Sequence, residues 1–234
     1  MFSLKHIIST TVVKKIIMGL SGLALVGFII VHLLGNLSLY LSDGNPFNTY
    51  VKKLKDLEIL VVIAEVILFL IFATHIITGI LITRKNKKDA RPVQYEVLTS
   101  KGTPTSNFFS RTMPITGIIL FLFLLIHLKQ FTFGPGIEAG YVTTIDGEQA
   151  RDLHKLVMET FKQPLNVAFY MIVMILLGFH LRHGFWSAFQ SLGIMNRSLT
   201  NIIYGFALFF ALILALGFLC IPLWIYLFIP GAGV

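Results

Sequence analysis

Histidines occupy four long apolar segments of the chain, where an ionisable side chain is costly. They are His32, His75, His127 and His180, and the first four of five such segments contain one each. A histidine within a membrane normally faces the interior of a helix bundle, and a neutral imidazole is the commonest metal ligand of proteins. Four evenly distributed imidazoles therefore predict metal or cofactor binding between helices.

The surrounding segments predict an all-α integral membrane protein. The chain has 234 residues, of which 56% are hydrophobic and 13% are charged. Its apolar runs are each about long enough to cross ~30 Å of hydrocarbon as a helix. We predict one transmembrane domain over residues 1–234, a bundle of five helices spanning roughly 14–41, 58–83, 111–133, 164–191 and 199–229. The single cysteine, Cys220, excludes an internal disulfide framework.

Lysine and arginine predict the orientation. The amino-terminal tail, the second loop and the fourth loop together hold 12 of the 19 basic residues. By the positive-inside rule the amino terminus is then cytoplasmic and the carboxyl terminus lies outside. Topology therefore accounts for the net charge of +8 without any nucleic acid, and the basic inner face suits an acidic protein partner.

Depth in the membrane sorts the histidines into two pairs. Each histidine lies roughly fifteen residues, or ~22 Å, past the point where its helix enters the bilayer. Antiparallel helices then bring His32 and His127 to an outer level and His75 and His180 to an inner level. Two histidines at each of two levels predict two stacked b-type hemes with bis-histidine ligation. We expect the second nitrogen of each ring to donate to a backbone carbonyl of its own helix.

Repeated glycines support the same interpretation. Ser21-Gly22 and Thr116-Gly117 each precede a histidine by nine intervening residues, whereas the other two histidines are each followed by a glycine four positions on. A helical glycine allows a flat macrocycle to approach the backbone. Gly22, Gly79, Gly117 and Gly184 are therefore predicted to line the cofactors. The alternatives are histidines that only hydrogen-bond between helices and glycines that only permit close helix packing.

Four stretches in order resemble the cytochrome b subunit of succinate dehydrogenase and fumarate reductase, in the class with a five-helix anchor and two hemes. They are SGLALVGFIIVH, THIITG, TGIILFLFLLIH and FHLRHGFWSAF, and the resemblance covers nearly the whole chain. It implies electron transfer between an iron–sulfur subunit and a quinone, usually menaquinone, in the bacterial cytoplasmic membrane. A flavoprotein and the iron–sulfur protein would dock on the cytoplasmic face, where the dicarboxylate chemistry takes place.

The resemblance also separates His180 from its neighbour His183. The family's fourth-helix ligand matches His180, whereas the family does not keep a histidine at position 183. Some fumarate reductases of this class carry a proton-conducting glutamate two residues before this ligand. Here that residue is Gly178, so proton transfer across the membrane and the physiological direction stay open.

Several polar residues are candidates for the remaining interactions. Arg182 and His183 are predicted to meet the propionates of the inner heme, with snorkelling to the surface as the alternative for Arg182. Lys129 is the corresponding candidate at the outer heme. Glu65, the only carboxylate within a span, is the candidate for proton exchange with quinone, and a structural acid is the alternative. The other quinone-site candidates are Asn36, Tyr40, Asp43, Asn45, Asp56 and Glu58.

Two other functional classes fit parts of this pattern. One is the diheme cytochrome b subunit of another quinone-linked enzyme, a hydrogenase or a formate dehydrogenase. The other is a transporter or structural anchor without heme, in which buried histidines serve helix packing. An optical spectrum separates the heme proteins from the last class.

Overall fold

The computed structural model describes residues 10–41, 44–89 and 108–229. Their elements are mostly helical and include one small hairpin. In chain order they are α1 (Thr11–Asn36), α2 (Asn45–Asp56), α3 (Ile59–Asp89), α4 (Phe108–His127), β1 (Val142–Ile145), β2 (Glu148–Arg151), α5 (Leu153–Lys162), α6 (Pro164–Ser191) and α7 (Arg197–Phe228).

Five helices in these ranges are long and apolar enough to cross a membrane: α1, α3, α4, α6 and α7. Their apolar spans are Thr11–Tyr40, Ile59–Arg84, Thr112–Thr132, Pro164–Ser191 and Ser198–Phe228. These bounds agree with the sequence prediction to within three residues at every end. Large apolar side chains cover the outside of the bundle, for example Leu70, Ile118 and Phe209. An exterior of this kind suits hydrocarbon, since the helices satisfy their own backbone hydrogen bonds.

The best-packed part of the bundle lies where α1, α6 and α7 meet. Its buried side chains include Leu33, Leu181, Leu214 and Ile225. Small residues bring α6 and α7 close together, because a Cβ atom added to Gly178 would lie 3.0 Å from the Ala215 Cβ. Glycine at position 178 therefore has a packing role, and a larger side chain there would push α7 away.

A small cap joins the helices at one end of the bundle and was not predicted from the sequence. It contains α2, the antiparallel β1–β2 hairpin and α5. The turn residues Asp146 and Gly147 have φ values of 53° and 81°, as a type I′ hairpin turn requires. This Asp-Gly pair was a signal in the sequence that could have revealed the hairpin.

A buried asparagine links the two helices of the cap. The Asn48 side chain is 4% exposed; its amide donates to Asp152 Oδ1 over 2.7 Å, and its oxygen accepts from the His154 backbone N–H over 2.9 Å. The His154 ring is half-buried and packs against Phe47 and Gly44. His154 is therefore part of the packed cap although it lies in the polar region between two spans. Asp43, one of the quinone-site candidates, lies outside the described residues.

Candidate functional site

The two predicted histidine pairs are adjacent in the structure. The ring centroids of His32 and His127 are 5.8 Å apart, and those of His75 and His180 are 6.5 Å apart. We call the first the outer pair, since it lies nearer the cap, and the second the inner pair. An imidazole nitrogen binds a first-row metal ion at about 2 Å, so two imidazoles on opposite sides of one ion have centroids roughly 6 Å apart. Both separations are close to this value.

The pairs lie at separate levels along the bundle. The inner histidines contact Ser21 on α1 and Thr116 on α4. Each contact residue precedes the outer histidine of its own helix by eleven positions, which corresponds to about 16 Å of helix. Within the described ranges no three His, Cys, Asp or Glu side chains are grouped so that they could hold a metal ion. Each level therefore offers two imidazoles rather than one shared cluster.

A serine hydroxyl lies beside one nitrogen of His75. Ser21 Oγ lies 3.3 Å from His75 Nδ1, and Ser21 donates its only proton to the Met18 carbonyl over 3.1 Å. With that proton on the Met18 carbonyl, the serine oxygen accepts from the ring, an arrangement that favours the tautomer with hydrogen on Nδ1. The lone pair of His75 Nε2 is consequently available for a metal ion.

The same arrangement recurs at His180. Its Nδ1 lies 3.1 Å from Thr116 Oγ1, and the threonine donates its proton to the backbone carbonyls of Thr112 and Met113 over 3.2 and 3.1 Å. Nε2 of His180 is therefore also left with its lone pair. The predicted acceptor, a backbone carbonyl of the histidine's own helix, was wrong for both inner rings. In both cases Nδ1 contacts a hydroxyl group of the neighbouring helix, and that hydroxyl donates to a backbone carbonyl of its own helix.

At the outer pair a buried tyrosine orients His127. Tyr170, which is 5% exposed, donates to Gln130 Oε1 over 2.6 Å, and its oxygen lies 3.3 Å from His127 Nδ1. The phenol has one proton, so it accepts from Nδ1–H and leaves Nε2 of His127 as the free acceptor. Gln130 belongs to a π-helical segment, Leu128–Thr132, that follows α4 directly. Segments of this type are frequent at functional sites.

His32 has a different polar neighbour. The Asn36 amide donates to the His32 carbonyl over 2.8 Å, and the same nitrogen lies 3.5 Å from His32 Nε2. Aromatic rings surround both outer imidazoles: Phe28 and Phe218 stack on His32 at 5.5 and 5.7 Å, and Phe123 and Phe131 lie within 5.6 Å of His127. Although α7 has no histidine, Phe218 makes it part of the outer site.

The four candidate glycines form two classes. Gly22 and Gly117 face the inner histidines, because an added Cβ atom would lie 3.2 Å from His75 Cε1 and 3.6 Å from His180 Cε1. Both glycines thus lie at the inner pair, although the histidines of their own helices, His32 and His127, belong to the outer pair. Gly79 and Gly184 instead face the methyl groups of Met18 and Met113, at 3.4 and 3.9 Å from an added Cβ atom.

The other candidate residues differ in their surroundings. Arg182 and His183 are half-buried on α6, and the His183 ring lies 6.0 Å from Trp186. Lys129 is exposed, as is Glu65 on α3. Tyr40 packs against Trp224 at 4.7 Å, whereas Asp56 forms an exposed ion pair with Lys52. Asn45 and Glu58 are exposed near the cap.

The comparisons with known proteins add no identification. No family model matches the chain, and no curated protein or solved structure matches it either. The resemblance to the cytochrome b subunits therefore stays a prediction from the four sequence stretches.

Proposed function

We propose that the chain is the diheme cytochrome b anchor of a succinate:quinone oxidoreductase. The observation that carries this proposal is the arrangement of the imidazoles: two adjacent pairs at separate levels, in which Nδ1 of both inner rings and of His127 lies beside a hydroxyl oxygen. Neutral, oriented imidazoles of this kind suit a low-spin heme iron with two axial ligands. The aromatic rings at the outer pair and the glycines at the inner pair suit a flat apolar macrocycle.

Each part of the chain then has a defined task. Two hemes would supply one-electron carriers between an iron–sulfur partner and a quinone. The histidines hold them, and Ser21, Thr116 and Tyr170 fix the ring orientations. The apolar helices keep the site away from water, while the flavin and dicarboxylate chemistry belongs to partner chains at the cytoplasmic face.

Quinone exchange is assigned to the outer level. Asn36 places an amide donor beside His32, and Tyr40 lies one turn farther along at the membrane edge. Glu65 is an exposed carboxylate within a span, a position where a charged group needs water or a polar partner. Asn36 and Tyr40 could donate to a quinone oxygen at this level, and Glu65 could exchange a proton with it.

A purified complex tests the assignment to succinate dehydrogenase. A tagged chain isolated from its own membrane should bring with it a protein containing flavin and one containing iron–sulfur clusters, together with succinate-dependent quinone reduction. A nickel- or molybdenum-containing partner in their place would instead indicate that the chain belongs to a hydrogenase or a formate dehydrogenase. A chain that has hemes but no such partner would contradict the proposed assembly.

Gly22 provides a steric test of the inner site. We expect Gly22→Leu to lose the inner heme, because its side chain must enter the space of the His75 ring, 3.2 Å from the new Cβ atom. Gly27→Leu is the matched control on the same helix, since no atom lies within 4 Å of its added Cβ. Heme per chain in the purified variants decides the outcome. Equal heme content in the two variants would contradict the assigned role of Gly22.

Hydroxyl groups at the inner pair provide an electronic test. Ser21→Ala or Thr116→Val removes the acceptor of Nδ1–H, so the imidazole donates less electron density to ferric iron and the midpoint potential of the inner heme rises. A hydrogen bond is worth about 1 kcal/mol and a tenfold one-electron change is about 59 mV, so we expect a rise of roughly 40 mV.

Thr78→Val is the control for these two variants. Thr78 is also buried, but its hydroxyl donates to the Thr74 and His75 carbonyls of its own helix. Potentiometric titration of the heme absorbance should show a shift with Ser21→Ala and Thr116→Val and none with Thr78→Val. The same shift in all three would indicate a general effect of lost packing.

A further inference from the structure

Arg151 has an unsatisfied side chain at the cap end of the bundle. It is the last residue of β2, and its Nε donates to the Pro135 carbonyl over 2.9 Å while Nη1 lies 3.5 Å from the Thr132 carbonyl. The remaining nitrogen, Nη2, is buried and has no hydrogen-bond partner. Two arms of the guanidinium are therefore fixed by the backbone, and the third has hydrogens to donate.

The charge of Arg151 is also uncompensated. Ion pairs among the described residues involve Lys52 with Asp56 and Glu148, and none involves Arg151. Burial lowers the pKa of the Arg151 guanidinium below its ordinary value, yet arginine stays protonated in proteins. A buried donor without an acceptor is costly, so Nη2 is suited to an acceptor beside it, and an anion would also match the charge.

The location relates this cation to the outer pair. Thr132, which accepts from Arg151, ends the π-helical segment that begins directly after His127. Thr132 follows His127 by five positions, so the two residues are no more than about 8 Å apart along the helix axis. Lys129 is closer in sequence, but its side chain is exposed and lies two positions from His127, which is nearly the opposite side of a helix.

We propose that Arg151 binds a carboxylate beside the outer pair, and that this carboxylate is a propionate of the outer heme. The inference rests on the proposed function, because the propionate belongs to that cofactor. A guanidinium fork donates to a carboxylate with two parallel hydrogen bonds, and charge-assisted bonds of this type are roughly twice as strong as neutral ones. Arg151 thus replaces Lys129 as the main cationic partner at the outer level.

Redox titration of the purified complex tests this role. Arg151→Gln removes a positive charge near the outer iron, and this loss favours the ferric state. We expect the equilibrium constant for reduction of the outer heme to fall roughly three- to tenfold, as for a unit charge about 10 Å away in a partly solvated site. Arg151→Lys keeps the charge and should give a smaller change. The outer component is identified as the one that remains when His180 is replaced.

Two further variants, and a comparison of phospholipid vesicles with detergent, complete the experiment. Lys155→Gln removes an exposed positive charge from the same cap, where Lys155 lies over the Tyr141 ring, and should leave the titration unchanged. A shift with Lys129→Gln and none with Arg151→Gln would overturn the inference and restore Lys129. A shift that occurs in phospholipid vesicles but disappears in delipidated detergent would also overturn it, since the partner would then be a lipid phosphate. Absence of heme from the unmodified chain would refute the proposed function itself, a separate outcome.

Discussion

A His180→Ala chain should keep the outer heme and lose the inner one, so that heme per chain falls from two to one. Alanine supplies no lone pair, and His75 alone leaves the inner iron with a single axial imidazole. His183→Ala is the matched control: its ring is half-buried one turn along the same helix and lies near Trp186. It should keep both hemes and at most shift the inner potential. Heme and protein assays on the purified complex measure the ratio.

A second substitution separates loss of the ligand from loss of the fold. His180→Met offers iron a thioether ligand, so heme should return with an altered spectrum and a higher potential. Equal loss of heme from the His180→Ala and His183→Ala variants would contradict the choice of His180. Loss from His180→Met as well, together with failure to assemble, would indicate that the hydrogen bond between Thr116 and His180 holds the bundle together.

Glu65→Gln should lower quinone-linked turnover by about 10²-fold, the contribution that a general acid–base group often makes. Glutamine keeps the size and hydrogen-bonding capacity of the side chain and removes only the ionisable proton. Because Glu65 is exposed on α3, the substitution disturbs no buried packing. Both hemes and the partner subunits should stay, and oxidation of succinate with an artificial acceptor at the flavoprotein should be unchanged.

Two exposed carboxylates near the cap, Asp56 and Glu58, are the controls for Glu65. Asp56→Asn and Glu58→Gln neutralise exposed groups near the start of α3. If Glu65 exchanges the proton, both variants should turn over quinone nearly as the unmodified chain does. Normal turnover with Glu65→Gln would make Glu65 a surface acid, and a defect in Asp56→Asn or Glu58→Gln would move the proton-exchange site to the first loop.

The spanning helices and the histidine pairs were predictable from the sequence because both depend on properties that act along one helix. Hydrophobic length sets where a span begins and ends, so the predicted bounds of all five spans were close to the observed ones. The depth of each histidine then follows from the rise per residue, and antiparallel neighbouring helices place histidines of equal depth side by side. His32 therefore meets His127, and His75 meets His180.

The hydrogen-bond partners of the rings were not predictable in the same way. Whether Ser21 faces His75 or lipid depends on the rotation of α1 against α3, which side-chain packing sets and a single sequence does not reveal. The matched Ser21-Gly22 and Thr116-Gly117 pairs contained the signal, but their spacing to His32 and His127 did not show that they face the inner histidines. Tyr170 had no signal at all, since one tyrosine in an apolar helix is common at a membrane interface.

The cap was missed for a different reason. Its strands are only four residues long, far shorter than the apolar runs of about twenty residues that indicate spans. Nothing in the sequence pattern therefore singled out Arg151, although its position at the end of β2 directs it toward the segment that follows His127. Short polar elements between spans need turn signals such as Asp146-Gly147 to be recognised.

A reduced-minus-oxidised optical spectrum of the purified complex tests the central claim, that the two histidine pairs bind heme. We expect an α band of b-type heme with an intensity of two hemes per chain, both low-spin, because two imidazoles would fill the axial positions of each iron. A single heme, or a high-spin signal in the intact protein, would contradict the pairing of His32 with His127 and of His75 with His180. Absence of the band would eliminate heme altogether and leave the four histidines as hydrogen-bonding residues between helices.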